Sequence, residues 1–112
     1  MHSVCLWLPF PPSVNGLYPG KARRFKSRRY RNWIHEADVA LLQQDFKPVE
    51  GMCEVHYKFG RPDARKRDVF NFEKALTDYL VSAGVIEDDS LIERGTVEWA
   101  AHEGVTVEVW PI

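Results

Sequence analysis

A chain of 112 residues, 45% hydrophobic, has material for one modest core and no more. No apolar run approaches the roughly 18–20 residues of a membrane span, and no signal peptide precedes the first strand-like run. The two cysteines, Cys5 and Cys53, are far apart and lack metal-finger or C-x-x-C spacing. The expectation is a soluble, cytoplasmic protein whose thiols stay reduced.

Residues 3–9, SVCLWLP, alternate and then stop at the Pro-rich run PFPPSVNGLYPG, so a first strand feeds a long loop. From 29 to 46 the apolar positions Tyr30, Trp33, Ile34, Ala37, Ala40, Leu41 and Leu42 recur at helical spacing, and Pro48 follows. Residues 52–60, MCEVHYKFG, alternate as a second strand. The polar loop RPDARKR leads into a second helix that begins near Asp68 and stops at Gly84. Its apolar face gathers Phe72, Ala75, Leu76, Tyr79, Leu80 and Ala83; Asn71, Lys74 and Asp78 lie opposite, and Phe70 falls in that polar stripe. After the acidic turn EDD come two alternating runs, 91–101 and 105–110, joined at HEG as an expected hairpin. The order β-α-β-α-β-β predicts a single α/β (α+β) domain over 1–112, a mixed sheet packed by two helices.

The net charge of −1 suggests no nucleic-acid partner, but its distribution does. Residues 1–67 hold 13 of the 15 basic residues and 6 of the 16 acids; residues 68–112 hold 2 and 10. Between Lys21 and Arg31 come Arg23, Arg24, Lys26, Arg28 and Arg29 with Phe25 and Tyr30 interleaved and no acid. A second cluster, Arg61, Arg65, Lys66 and Arg67, runs into Asp68. Basic side chains near aromatics make a phosphate-binding surface, although charge runs are also ordinary on solvated loops.

The acidic chemistry sits at Asp68 and, about twenty residues on, at Glu87, Asp88 and Asp89. If the chain folds back along the second helix, these oxygens could converge on a divalent cation such as Mg²⁺, with Lys74 beside them to stabilise charge on a cleaved phosphate. Asp68 is equally a good N-cap, EDD an ordinary solvated turn, and Lys74 a surface partner for Asp78. The histidines His2, His35, His56 and His102 lack ligand spacing.

From Arg61 to Glu93 the chain reads RPDARKRDVFNFEKALTDYLVSAGVIEDDSLIE. This resembles the central region of RusA-type Holliday junction resolvases, whose pattern is a basic loop, D-x-D-N, a lysine three residues after the Asn, and a late Asp-Asp. The early PPSVNGLY and the following Tyr-Arg helix are similar to the same family, so the resemblance covers nearly the whole chain. It implies a homodimeric, Mg²⁺-dependent endodeoxyribonuclease that binds four-way DNA junctions and nicks opposing strands in recombination and repair. On this resemblance Asp68, Lys74 and Asp89 are catalytic, and Asp68, Asp89 and Asp88 are the metal ligands. Arg65, Lys66, Arg67, Arg24, Lys26 and Asn71 would face DNA.

One position departs from the pattern: Phe70 stands where the family has its second aspartate, and a phenyl ring cannot ligate a metal. Either Asp88 or Glu87 is recruited instead, or the chain binds junctions with weakened or lost cleavage, or the residue was introduced. A DNA-binding module without catalysis and an RNA-binding domain that prefers single strands are the competing classes.

Overall fold

Alternation in the strands and 3.6-residue periodicity in the helices sort the apolar side chains to one side of a single sheet. The computed structural model describes residues 2–20 and 25–112. Its strands are β1 (Val4–Leu8), β2 (Cys53–Gly60), β3 (Ile92–Ala100) and β4 (Val105–Pro111); its helices are α1 (Arg28–Leu42) and α2 (Glu73–Ser82). The order β-α-β-α-β-β is as the periodicities predicted. Val4, Leu6 and Leu8, Val55, Tyr57 and Phe59, and Val105, Val107 and Val109 point into the core, where they meet Tyr30, Trp33 and Ala37 of α1 and Ala75, Leu76, Tyr79 and Leu80 of α2. Burying each of the valines, leucines and Phe59 among them is worth about 1.5–3 kcal/mol.

The boundaries follow local chemistry. Ser27 caps α1, its hydroxyl accepting from the Tyr30 amide at 3.0 Å. The helix ends at Leu42 rather than 46, and Leu42, expected on the apolar stripe, is 87% exposed. One turn into α2, Thr77 is buried at 8% exposure, its hydroxyl satisfied by Tyr57 Oη at 2.9 Å. The second helix does not begin at Asp68: a 3-10 turn, Val69–Phe72, comes first. Gly84, at φ +76°, terminates it as the sequence indicated.

The expected hairpin is absent. The sheet order is β1-β4-β2-β3, with β3 parallel to β2 and β4 antiparallel to both β2 and β1. The β2-α2-β3 segment is a crossover unit, which places its two strands side by side and parallel. The chain from β3 to β4 must therefore step across β2, a distance of two strand spacings or about 9.5 Å. It does so over the end of β2, at Gly60. There the Gly60 amide donates to the Gly104 carbonyl at 2.7 Å, and a side chain would run into the His102 carbonyl, whose carbon is 2.6 Å from an ideal Cβ position. Alternation marks residues as strands but carries no record of which neighbour they pair with.

The other face of the sheet carries polar pairs across strands: Lys58 with Glu108 at 3.1 Å, His56 with Glu98 at 2.8 Å and Arg94 with Glu54 at 3.3 Å. Cys5 is exposed in β1 and Cys53 is buried in β2, both as free thiols.

Gly60→Ala should destabilise the domain by about 1–3 kcal/mol or more, since the added methyl meets backbone rather than a yielding side chain. A urea melt showing an unchanged midpoint would contradict this account of the crossing.

Candidate active site

The basic loop folds on itself before it reaches the acidic segment. Asp63 accepts from the Arg65 amide at 3.0 Å, and Arg67 grips the same carboxylate twice, Nε to Oδ1 at 3.1 Å and Nη2 to Oδ2 at 2.6 Å. These contacts hold the Asp63 carboxyl down at about 2, the Arg67 hydrogen bond contributing most. Asp68 then caps the 3-10 turn, its Oδ1 accepting from the Phe70 amide at 3.0 Å. The capping role anticipated as the alternative for Asp68 is thus observed.

Phe72 anchors that turn. Its ring packs among Phe10, Phe59 and Trp99 at centroid distances of 4.8, 6.3 and 6.1 Å. A 3-10 turn has about three residues per turn, so a side chain two positions from a buried one is aimed away from it. Phe70 is 69% exposed.

Beyond α2 the chain returns along it. A second 3-10 turn, Asp89–Leu91, packs against α2, and β3 then runs past the Val69–Phe72 turn. Between them lies an open cavity of about 400 Å³ lined by Phe70, Glu73, Thr77, Asp89, Ile92 and Tyr57 among others. Glu73 accepts from the Thr77 hydroxyl at 2.8 Å, and Thr77 is in turn tied to Tyr57, so a chain of three side chains fixes one Glu73 oxygen. Lys74 is held by Asp78 at 3.1 Å, which with the charge of Asp78, then Asp89 and Glu73, raises its pKa. The pairing with Asp78 that was the alternative for Lys74 is thus the contact observed, with Asp89 a smaller contributor to its pKa.

Other acidic positions are otherwise engaged. Asp88 accepts from the amide and the hydroxyl of Ser90, which lowers its pKa. Glu87 is turned back to accept from the Gly51 amide. Neither lines the cavity at Phe70. Glu73 does, and the sequence reading passed over it; an acid four residues before Thr77, which itself faces the inward Tyr57, was the available signal. Among the described residues no group of three His, Cys, Asp or Glu side chains is placed to hold a metal ion. The three carboxylates that the resemblance implied as metal ligands, Asp68, Asp88 and Asp89, are not gathered into one such group, and of the three only Asp89 lines the cavity at Phe70.

The basic residues divide likewise. Arg65 and Lys66 are exposed, whereas Arg67 is committed to Asp63. Lys26 lies over the Tyr30 ring at 5.9 Å from its centroid. Asn71 is half-buried in the 3-10 turn, and Arg24 lies outside the described residues.

The described structure is thus a small α+β domain in which a basic loop leads into a carboxylate-capped turn and Asp89 is returned to the flank of α2. Comparison with known proteins makes this specific. The Endodeoxyribonuclease RusA family model matches residues 9–110, and the chain belongs to that nuclease family. It is similar to a crossover junction endodeoxyribonuclease RusA of Aquifex aeolicus, 35% identical with 93% of this chain and 86% of the relative covered. The corresponding protein of Enterobacteria phage HK97 is 30% identical, covering 80% and 76%. That of Escherichia coli K12 is 28% identical, covering 97% and 93%. No helix among the described residues is long and apolar enough to cross a membrane.

Because the folded Asp63 pKa is depressed, its pairing with Arg67 is fully present above about pH 4 and is lost as pH falls through about 2. An NMR titration should give an Asp63 carboxyl midpoint near 2, with the Arg67 Nε–H resonance moving in step. In Asp63→Asn the Arg67 signal should not titrate in that window.

Proposed function

We propose that the chain binds four-way DNA junctions as a homodimer in the reducing cytoplasm, and that its Mg²⁺-dependent nicking is weak because Phe70 stands in place of a carboxylate. The observation that carries this reading is the placement of Phe70: an exposed ring lining the same cavity as Asp89, one helical turn before Lys74. The relatives are named as crossover junction endodeoxyribonucleases, which supports the substrate. In this reading Asp68 and Asp89 are the remaining carboxylates for the cation, with Asp88 held back by Ser90. Lys74 exchanges Asp78 for the scissile phosphate, a short swing for an exposed lysine. Arg65 and Lys66 meet the DNA backbone.

Symmetric cuts need two active sites related by a two-fold axis, and one chain supplies one. Sedimentation at micromolar concentration should give twice the 13.0 kDa chain mass; a monomer would remove the case for paired nicking.

Phe70→Asp should raise single-turnover junction cleavage, with Mg²⁺ titrated, by on the order of ten- to a hundredfold. Folding should shift by no more than about 0.5 kcal/mol, since an exposed aromatic is removed. Adding Asp68→Asn should abolish the gain. If the parent chain already cleaves fast and Phe70→Asp adds nothing, the assignment of this position is wrong.

A further inference from the structure

Phe10 borders two open cavities that no catalytic role uses. One, of about 540 Å³, is lined by Arg28, Arg29, Asn32 and Glu36 of α1. The other, of about 800 Å³, is lined by Arg61, His102 and Glu103. Both border Phe10, and this pair of cavities, the Phe10 groove, carries Arg28 and Arg29 from one basic cluster and Arg61 from the other. We infer that this groove carries the phosphates of a DNA strand leading away from the 69–72 turn, an inference that rests on the junction reading above.

Continuity with the turn is direct. The Phe10 ring packs on that of Phe72 at 4.8 Å, so the residue both cavities border touches the one that anchors the turn. Arg61 opens the loop whose far end is Asp68, and the exposed Arg65 and Lys66 lie between them.

The arginines are also available. Lys58, Arg67, Lys74 and Arg94 are all in ion pairs, but among the described residues Arg28, Arg29 and Arg61 are in none. Arg61 is positioned by stacking: its guanidinium carbon lies 4.6 Å from the centroid of Trp99, whose ring is parallel to that of Phe10. A guanidinium held by its face keeps its edge N–H groups for an anion, and a planar fork suits a phosphate better than a point charge does. The acids on the walls, Glu36 and Glu103, number two against three arginines, whereas the cavity at Phe70 has two acids, Glu73 and Asp89, and no base. The walls of the Phe10 groove are thus net positive, and those of the cavity at Phe70 net negative.

The experiment is fluorescence anisotropy of a labelled four-way junction over a salt series, with the parent chain and with Arg28→Ala, Arg29→Ala and Arg61→Ala combined. Each lost phosphate contact should lower the slope of log affinity against log salt by about 0.9, and three contacts should weaken binding on the order of a hundredfold at physiological salt. Lys47→Ala, an exposed lysine away from the groove, should change little. Arg61→Lys keeps the charge but loses the stacking and should recover only part of the Arg61→Ala loss. If the parent binds and the triple variant matches Lys47→Ala in slope and affinity, the groove is not a DNA path. If the parent binds no DNA, the junction reading falls and the groove's role falls with it.

Discussion

The passage of the chain over Gly60 is the constraint on which this structure depends. It lets β3 and β4 take opposite sides of β2, so that β2 is paired on both edges. The α2 crossover that sets β3 beside β2 brings Asp89 back to the flank of α2, and the connection over Gly60 then carries the chain to the far edge of β2.

The aromatic group around Phe72 then converts this topology into a site. Phe10, Phe59 and Trp99 hold the 3-10 turn by one ring, leaving its neighbours to present outward. Aromatic pairs add about 0.5–1.5 kcal/mol beyond the area they bury, so the turn is anchored from below while Asp68, Phe70 and Lys74 are exposed. Such division of labour, with a packed ring beneath and polar groups above, lets a residue at position 70 change chemistry at little structural cost.

Much of this was legible in the sequence. The element types, the inward faces of β2 and α2 and the Gly84 stop followed from periodicity and spacing. Strand pairing did not, because alternation is the same whichever neighbour a strand has. The helix start was misplaced because a capping aspartate precedes a 3-10 turn as readily as an α-helix. Asp88 and Glu87 looked equivalent to Asp89 on paper; only the local bonds to Ser90 and Gly51 separate them. Glu73 was overlooked because its significance depends on Tyr57, a residue from another strand. Arg67 sits in a basic run and reads as free, yet Asp63, four positions earlier, occupies it.

The sheet order has one more consequence, for the path by which the domain is made. β4 is hydrogen-bonded on both sides, to β1 and to β2, and yet it is the last strand in the chain, with Val4 opposite Val109. During synthesis β1 emerges first and has no strand to pair with until nearly all of the rest has followed. Until then an apolar strand and a half-built sheet are open to other chains, and contacts this distant in sequence close slowly. The middle of the sheet is its final piece, so folding can be completed only after synthesis has reached β4.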